Sequence, residues 1–563
     1  MNSGPANISR RGFLRAGGAA AALLAVRPLG AQEDGVRRGA VSAGAAPHRR
    51  GQQGAPATDL WLYAGVSPGP MIRARRGETL EVVFTNNLDV PTTMHWHGIR
   101  NLNEMDGVPD LTQAAVEPAE SFTYRFPLRD AGTFWYHAHS KGWEQLARGL
   151  YGALIVEEDD APDSANDITL VVDDWRLTEA YALHEESFGS LMDWSHQGRL
   201  GNWLTVNGAT EPVIDAAAGT ARLRMINAAN ARTLAFRLDG GRPLRVIALD
   251  GAPCTPFEID VIRLAPAQRA DLLVELDGEM MTIEEVSTGE PITAAQLKTG
   301  AQLKSGGQPK SGSRALSPHV PVAQSWYSFP NQAGARIIDI HMQGGAMGNL
   351  DSAIFEGESL PLRELAQNHS KLWAFNGIVG GYDNWLGDVA LGEVVVLRVW
   401  NDTRWEHGMH LHGHHFWVRS QEFGDEPRDV LRDTYLMAPG ERADLVFVAD
   451  NPGAWLFHCH MMEHHAAGMG AVISSGCTHT RSAPGRRLFS PIRSSSAQFG
   501  PVQSVSGGCR IGPVKEDVLH HSVRVKMPGP HEILPVNTDK RALVGLYKHD
   551  ELTLFNTVLF HEL

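Results

Sequence analysis

The stretch DAGTFWYHAH (130–139) aligns without a gap to NPGAWLFHCH (451–460), far downstream in the same 563-residue chain. A second motif is also repeated: MHWHG (94–98) recurs as MHLHG (409–413). Motifs that recur in the same order are the signature of an internal repeat. The first and last parts of the chain are therefore two copies of one domain.

The middle of the chain carries a weaker third copy. APAQRADL (265–272) matches APGERADL (438–445), and ARLRMIN (221–227) lies where the outer copies place a strand that begins with Gly-Glu. This middle copy has no His-X-His pair, whereas both outer copies have them. Because these potential metal ligands occur only in the outer copies, we predict a metal site at the seam between the first and third domains.

The sequence predicts an all-β protein. Segments such as TLEVVFTN (79–86) and ADLVFVAD (443–450) cluster β-branched residues and end at Asn or Asp, which is typical of short strands. Short strands at regular intervals favour Greek-key β-sandwiches. The tandem AQLKTG/AQLKSG (295–306) is interpreted as a flexible surface loop of the second domain. We place the three domains at residues 55–160, 161–333 and 334–477.

The two ends of the chain are interpreted as lying outside the three repeated domains. SRRGFL (9–14), followed by the apolar stretch Ala19–Val26, resembles a twin-arginine export signal over residues 1–31 and predicts a periplasmic or secreted protein. The alternative is a basic, disordered N-terminus. Residues 32–54, rich in Gly, Ala and Arg, are interpreted as a linker. Residues 478–563 lose the repeat and the strand pattern, and they are left as a tail without a physical account.

Composition limits the possible partners. The net charge of −14 argues against a nucleic-acid partner. The sequence has no apolar run of transmembrane length, and we expect a monomer without a membrane span. Four cysteines, at 254, 459, 477 and 509, are too few for a disulfide scaffold in a chain of this length.

Histidine pairs are more frequent than chance allows. With 25 histidines, random placement gives about one His-X-His pair, but five occur, at 95/97, 137/139, 410/412, 412/414 and 458/460. Residues i and i+2 of a strand point to the same face, so each pair presents two imidazoles to one side. A single pair is better explained by surface or core packing. Four pairs in register across a duplication supply eight imidazoles, which suit copper or zinc and are enough for a cluster of three ions.

The triplet His458-Cys459-His460 suggests a second, linked metal site. In a strand Cys459 points to the opposite face from its two neighbours, so it faces a different metal while being covalently joined to both. A thiolate with two imidazoles and a distant axial methionine is the blue-copper arrangement for electron transfer. The candidate ligands are Cys459, His464, Met469 and His407. An electron received there can pass through the Cys459 backbone to the cluster.

These motifs resemble those of the three-domain multicopper oxidases, of which laccases are the best-known members. The resemblance covers residues 55 to 475 and rests on HWHG (95–98), HAH (137–139), HGMHLHGH (407–414) and HCHMMEHHAAGM (458–469). It implies three cupredoxin-like domains and four copper ions, one of type 1, one of type 2 and two of type 3. The implied reaction is four one-electron oxidations of a reducing substrate coupled to reduction of dioxygen to water.

The resemblance also implies a role for each ligand. The type 1 copper takes His407, Cys459 and His464 with Met469 axial; the type 2 copper takes His95 and His410; one type 3 copper takes His97, His137 and His460; and the other takes His139, His412 and His458. His464 is expected to be the ligand nearest solvent, where electrons are taken up.

Reduction of dioxygen also consumes protons. MDGVP (105–109) resembles the family segment that carries an acid near the cluster, so Asp106 is the candidate proton donor. The alternative is a turn Asp before Gly. Many bacterial members have Glu directly after the last type 1 histidine, whereas this chain has His465, and the proton route stays open at this point.

The leading functional hypothesis is a laccase-like oxidase of phenols and aromatic amines. The first alternative is a cuprous oxidase in copper tolerance, although the methionines are mostly scattered and form no long Met-rich insert. An alternative of another class is a copper-less structural or binding homologue. It is disfavoured because all ten expected histidines and the cysteine are present. A two-domain copper nitrite reductase is disfavoured because the His-Cys-His triplet belongs to a fused type 1 and trinuclear arrangement.

Overall fold

The computed structural model describes residues 35–49, 56–158, 166–299, 326–420 and 430–476. The expected export signal (1–31) and the C-terminal tail (478–563) lie outside the described residues. Over the described ranges, no helix is long and apolar enough to cross a membrane.

The described residues form three successive β-sandwich domains. The first contains β1 (Val36–Arg49), β2 (Ala57–Tyr63), β3 (Gly69–Arg75), β4 (Thr79–Asn86), β5 (Met94–His97), β6 (Ser121–Pro127), β7 (Gly132–Ala138), α1 (Gly142–Gln145) and β8 (Tyr151–Glu157). The second contains β9 (Asp167–Trp175), α2 (Leu191–Ser195), β10 (Trp203–Val206), β11 (Val213–Ala216), β12 (Gly219–Asn227), β13 (Leu234–Leu238), β14 (Leu244–Leu249), β15 (Ala252–Ile259), β16 (Ile262–Leu264), β17 (Arg269–Leu276), β18 (Met281–Glu285) and β19 (Ile292–Thr299).

The third domain contains the remaining strands and helices of the described residues. It contains β20 (Arg336–Gly344), β21 (Ser352–Phe355), β22 (Glu358–Pro361), α3 (Leu362–His369), β23 (Trp373–Phe375), β24 (Trp385–Val389), β25 (Val394–Asn401), β26 (His407–Leu411), β27 (Phe416–Ser420), β28 (Leu431–Arg432), β29 (Thr434–Met437), β30 (Arg442–Val448), β31 (Gly453–Cys459), α4 (Met462–Ala466) and β32 (Gly470–Ser475). The all-β prediction is confirmed, because the helices are few and short.

The same topology occurs three times. In the first sheet of each domain, β1, β9 and β20 run parallel to β4, β12 and β25, which in turn pair antiparallel with β6, β17 and β30. In the second sheet, β3, β11 and β24 run parallel to β8, β19 and β32. The weak sequence repeat in the middle of the chain is therefore a third copy of the same sandwich.

The linker expected over residues 32–54 is wrong for Val36–Arg49. This segment is β1, which pairs in parallel with β4 and antiparallel with β2. Most of its residues are small or charged, so the sequence shows no clear hydrophobic alternation. Main-chain hydrogen bonds to two neighbouring strands and the buried side chains of Val41 and Ala43 hold the strand in place. Its topological equivalents are β9 and β20, so domain 1 begins with β1 rather than at residue 55.

The surface loop expected over residues 295–306 is also wrong in part. Ile292–Thr299 forms β19, which pairs antiparallel with β18 and parallel with β11. Ala295 and Leu297 are buried in the core of domain 2. The rest of the tandem, from residue 300, lies outside the described residues.

Candidate metal centre

Each outer domain places its two histidine pairs on neighbouring antiparallel strands. In domain 1, His95 of β5 lies opposite His137 of β7. In domain 3, His410 of β26 lies opposite His458 of β31. The second histidine of each pair is two residues further on and therefore shares the same face. The four pairs thus project from two pairs of strands into one region.

The eight histidines meet at the seam between domains 1 and 3. Ring centroids of His97 and His410 are 3.8 Å apart, and those of His95 and His412 are 4.1 Å apart. His137 and His460 also meet across the seam at 5.1 Å. All eight residues are buried: His95, His97, His137, His139, His410, His412, His458 and His460. The structure therefore brings together the whole predicted cluster.

Most of these rings are fixed by one nitrogen and direct the other inward. His95 Nδ1 donates to the carbonyl of Asp106 at 2.7 Å, and His410 Nδ1 donates to the carbonyl of Asp433 at 2.8 Å. The Nε2 atoms of both rings are buried and find no hydrogen-bond partner among the described residues. A buried polar atom without a partner is costly. This pattern is what a metal ligand with an anchored outer nitrogen requires.

The rings of His412 and His458 face each other in a way that a cation would stabilise. His412 Nδ1 donates to Asp106 Oδ2 at 2.8 Å and His458 Nδ1 donates to the Cys459 carbonyl at 2.9 Å, so in the neutral rings both Nε2 atoms carry lone pairs. These two Nε2 atoms lie 3.1 Å apart. Facing lone pairs at this distance repel, whereas a shared cation stabilises them. The residues fit a metal ion at this position.

The histidines are held in the uncharged form that a metal needs. Burial, followed by the neighbouring histidines, lowers the pKa well below its ordinary value for His97, His137, His139, His412, His458 and His460. Neutral imidazole is the ligand form, because the metal takes the lone pair that a proton would occupy. The cluster is thus a set of buried neutral imidazoles, each with one N–H group and one lone pair.

Cys459 belongs to a second group on the other side of β31. Its Sγ lies 3.5 Å from His407 Nδ1 and 3.7 Å from His464 Nδ1, and the two nitrogens are 3.0 Å apart. His407 Nε2 contacts the hydroxyl of Thr403 at 2.8 Å, which anchors the outer side of that ring. Burial raises the pKa of the Cys459 thiol to about 12. A bound cation is what converts such a buried thiol to the thiolate.

Met469 joins this second group from the connection between α4 and β32. Its carbonyl accepts from the Cys459 amide at 3.1 Å, and its amide donates to the His464 carbonyl at 2.9 Å. The side chain is buried in the same core cluster as Cys459. The backbone therefore fixes the predicted axial residue to two of the predicted ligands.

His464 is covered by a residue of domain 2, and its place as the type 1 ligand nearest solvent stays a prediction. The residue is 0% exposed, and its Nε2 donates to the carbonyl of His196 at 2.7 Å. His196 follows α2 in domain 2, so the second domain covers the outer edge of this ring. A contact between residues so far apart in sequence leaves no local signal, which is why sequence reasoning missed it.

Asp106 lies inside the histidine cluster. It is fully buried, its Oδ2 accepts from His412, and its carbonyl accepts from His95. The residue therefore links a domain 1 histidine to a domain 3 histidine. Its other oxygen, Oδ1, is buried without a hydrogen-bond partner in the described part of the chain. This position favours the proton-donor role over that of a simple turn Asp.

Sequence reasoning missed a second buried carboxylate. Asp433 Oδ1 lies 3.1 Å from His97 Nε2 and 2.8 Å from Arg269 Nη1. Burial alone raises the pKa of this carboxyl, but the guanidinium charge of Arg269, followed by the electrostatic influence of the His97 ring, outweighs burial and brings the pKa well below its ordinary value. No signal in the sequence indicates this contact, because Asp433 lies outside the matched motifs and Arg269 occupies the position of the exposed Arg442.

A cavity of about 300 Å³ opens beside the cluster. Among the residues that line it are His139 of the cluster, His465 and Lys371. The His465 ring lies 4.3 Å from that of His458. The cavity therefore places space for small molecules directly against the histidine cluster.

Comparisons with known proteins agree with this architecture. Three multicopper oxidase family models match residues 47–161, 166–289 and 359–476. The multicopper oxidase MmcO of Mycobacterium tuberculosis is 30% identical over 510 residues, which cover 82% of this chain and 95% of that protein. Laccase-1 of Botryotinia fuckeliana is 27% identical over 72% of this chain and 77% of its own length.

Solved structures give the same result. A multi-copper oxidase from Pseudomonas thermotolerans is 31% identical, with a TM-score of 0.64, and the match covers 78% of this chain and 99% of that one. Lac15 from a marine microbial metagenome is 34% identical, with a TM-score of 0.58 over 77% and 99% of the two chains. The two metal-type groups and the three sandwiches define a copper-dependent oxidoreductase that uses oxygen. The chain belongs to the multicopper oxidase family.

The glycine that follows the first histidine pair offers a stability test. Gly98 has φ +83°, and a Cβ there lies 2.4 Å from Arg269 Nη2 and 2.7 Å from Asp433 Oδ2. We expect Gly98→Ala to cost about 3 kcal/mol or more, because it adds a clash with a buried ion pair to backbone strain. The denaturation midpoint of the apoprotein measures this effect.

Gly77 supplies the matched control. It has φ +87°, but a Cβ there meets none of the described atoms within 4 Å. Gly77→Ala therefore carries backbone strain alone, of about 1–2 kcal/mol. Equal shifts of the midpoint in the two variants would show that the ion pair yields to the new methyl group without cost.

Proposed function

We propose that this chain is a laccase-like oxidase, which takes single electrons from phenolic or aromatic amine donors and passes them to dioxygen. Four copper ions are assigned to the two groups of ligands. His407, Cys459, His464 and Met469 hold type 1; His95 and His410 hold type 2; His97, His137 and His460 hold one type 3 ion; and His139, His412 and His458 hold the other. Bound copper supplies one-electron oxidation at the first group and reduction of dioxygen to water at the second.

The observation that carries this proposal is the placement of three consecutive residues. Cys459 Sγ lies against His407 and His464, while the rings of His458 and His460 lie in the other group. Three consecutive residues therefore connect the two groups through covalent bonds. Such a connection suits an enzyme that collects electrons at one place and uses them at another.

The residues that cover His464 support an aromatic donor. His196, whose carbonyl accepts from His464, packs its own ring 5.1 Å from that of Trp405. Both side chains are partly exposed. A planar donor that stacks on these rings comes close to the His464 edge without touching it. We infer that donors are bound on this face of domain 2 and domain 3.

Oxidation of Cu(I) is the second candidate, and two exposed methionines favour it. Met192 of α2 is 63% exposed, and Met347 is 72% exposed. Their segments are joined where the Ala346 amide donates to the Ser195 carbonyl at 2.7 Å, next to His196. Thioethers bind Cu(I). Both methionines thus belong to the segments that cover the type 1 group.

Oxygen uptake by the copper-loaded protein separates the two candidates. A methoxyphenol is supplied with a Cu(II) chelator, and a stabilised Cu(I) complex is supplied in a parallel reaction. We expect phenol turnover that survives the chelator, and we expect the double variant Met192→Leu/Met347→Leu to keep phenol kcat/KM within about twofold, because exposed surface substitutions have small effects. Phenol turnover that requires free Cu(II), with Cu(I) turnover lost in the double variant, would favour the cuprous oxidase.

Export through the twin-arginine route is part of the same proposal. It rests on the Arg10-Arg11 pair and the apolar stretch that follows. Substituting both arginines by lysine is expected to keep the protein in the cytoplasm of a bacterial host, as measured by fractionation. Equal export of the variant would exclude this route.

A further inference from the structure

Domain 2 has no His-X-His pair, but it reaches the histidine cluster with other residues. Three of its residues contact residues 432–434 of domain 3. Asp250 Oδ2 accepts from Arg432 Nε at 2.8 Å, and Gln268 Nε2 donates to the Thr434 carbonyl at 2.9 Å. Arg269 is the third of these residues and contacts Asp433. The segment that supports two of the cluster histidines is therefore held by the domain that supplies none of them.

Arg269 uses its complete hydrogen-bonding capacity at this seam. Its side chain is 0% exposed. The five N–H donors of a guanidinium match five acceptors, which are the carbonyls of Thr133, Ala267 and Asp250 and both carboxylate oxygens of Asp433. Thr133 belongs to domain 1, Asp250 to domain 2 and Asp433 to domain 3. One side chain thus joins all three domains.

Asp433, which Arg269 holds in place, contacts two of the cluster histidines in turn. Its Oδ1 lies 3.1 Å from His97 Nε2, and its carbonyl accepts from His410 Nδ1 at 2.8 Å. The Nδ1 atom of His97 and the Nε2 atom of His410 are buried and lack a partner in the described ranges. Each ring is therefore anchored on Asp433 by one nitrogen and presents the other to the cluster.

The repeat offers an internal comparison. Arg269 in APAQRADL corresponds to Arg442 in APGERADL. Arg442 is exposed, and its guanidinium lies over the ring of Trp400 at 4.0 Å. The same position of the same fold therefore carries a surface residue in domain 3 and a fully buried residue in domain 2. The two arginines differ in their surroundings, because only Arg269 reaches the histidine cluster, through its contact with Asp433.

We propose that Arg269 is a positioning residue of the trinuclear histidine cluster, which acts by fixing Asp433 and through it the rings of His97 and His410. This inference rests on the proposed assignment of copper to that cluster. Domain 2 is then part of the metal centre rather than a spacer. The outer partners of metal-bound histidines set the orientation and basicity of the ring, so the effect falls on the affinity for copper.

The test compares Arg269→Lys with Arg442→Lys in the full chain. Lysine keeps the charge but offers three donors in place of five, so it cannot hold both oxygens of Asp433 and three carbonyls. The wild type is first loaded, and its copper per chain is measured. The variants are then followed for loss of copper to a chelator, for the type 2 electron paramagnetic resonance signal, and for the type 1 thiolate absorption.

We expect Arg269→Lys to lose copper from the cluster about tenfold to hundredfold faster than the wild type, with an altered type 2 signal and an unchanged type 1 absorption. Arg442→Lys is expected to match the wild type. Asp433→Asn is expected to reproduce the effect, and the double variant Arg269→Lys/Asp433→Asn to add little, because both residues act through one contact.

Two results overturn the inference. One is an equal rate of copper loss and an equal type 2 signal in the Arg269→Lys and Arg442→Lys variants. The other is a parallel loss of the type 1 absorption, because that outcome reports general unfolding. A wild type that takes up no copper at the cluster overturns the proposed function instead, and the first measurement distinguishes this case.

Discussion

Replacing Cys459 with serine is expected to abolish both the blue thiolate-to-copper colour and turnover with organic donors. Cys459 Sγ lies within 3.7 Å of the nitrogens of both His407 and His464. Serine has the same shape, but its hydroxyl is not a soft, readily ionised ligand, so the type 1 group loses its electron-accepting character. Visible absorption and oxygen uptake with a methoxyphenol measure the two effects, and turnover should fall to background.

Cys254 provides the control for this substitution. It is also buried, but it lies in the core of domain 2. Cys254→Ser buries a hydroxyl and is expected to cost about 1–3 kcal/mol of stability, while colour and turnover per folded molecule stay at the level of the wild type. If Cys459→Ser oxidised phenols at the normal rate, electrons would enter the protein at another place and the proposed mechanism would be wrong.

Most of the histidine cluster could be predicted from the sequence because its signal is local. A pair such as His95 and His97 shares a face by strand geometry alone. The duplication then places domain 1 and domain 3 pairs in equivalent positions. The structure brings these pairs together with His95 opposite His137 and with His410 opposite His458. Which copper type each ring holds remains a prediction.

Other features had no local signal. Val36–Arg49 reads as a linker because most of its residues are small or charged, although main-chain pairing and the buried side chains of Val41 and Ala43 hold it in the first sandwich. The carbonyl that covers His464 belongs to His196, and no periodicity or motif indicates a main-chain acceptor in another domain. Arg269 follows the motif of a surface residue, and its burial depends on how three domains pack. Tertiary contacts of this kind are decided by the whole fold.

Asp106→Asn is the other substitution with a large expected effect. The Asp106 carbonyl accepts from His95, and its Oδ2 accepts from His412 at 2.8 Å. Asparagine keeps the size and one oxygen, so copper content is expected to stay unchanged, but it cannot carry a transferable proton. We expect turnover to fall by about 10²–10⁴-fold, the range for loss of a general acid. Stopped-flow absorption should show normal anaerobic reduction of the type 1 group and slow reoxidation by dioxygen.

Asp110→Asn separates this role from the general charge of the loop. Asp110 is exposed with φ +64°, a conformation that Asn also tolerates. This variant is expected to reoxidise like the wild type, because its carboxylate faces solvent rather than the histidines. Slow reoxidation confined to Asp106→Asn would assign the proton to Asp106, whose oxygens accept from His95 and His412. Normal reoxidation in Asp106→Asn would exclude this role, and would direct attention to the cavity lined by His139, His465 and Lys371.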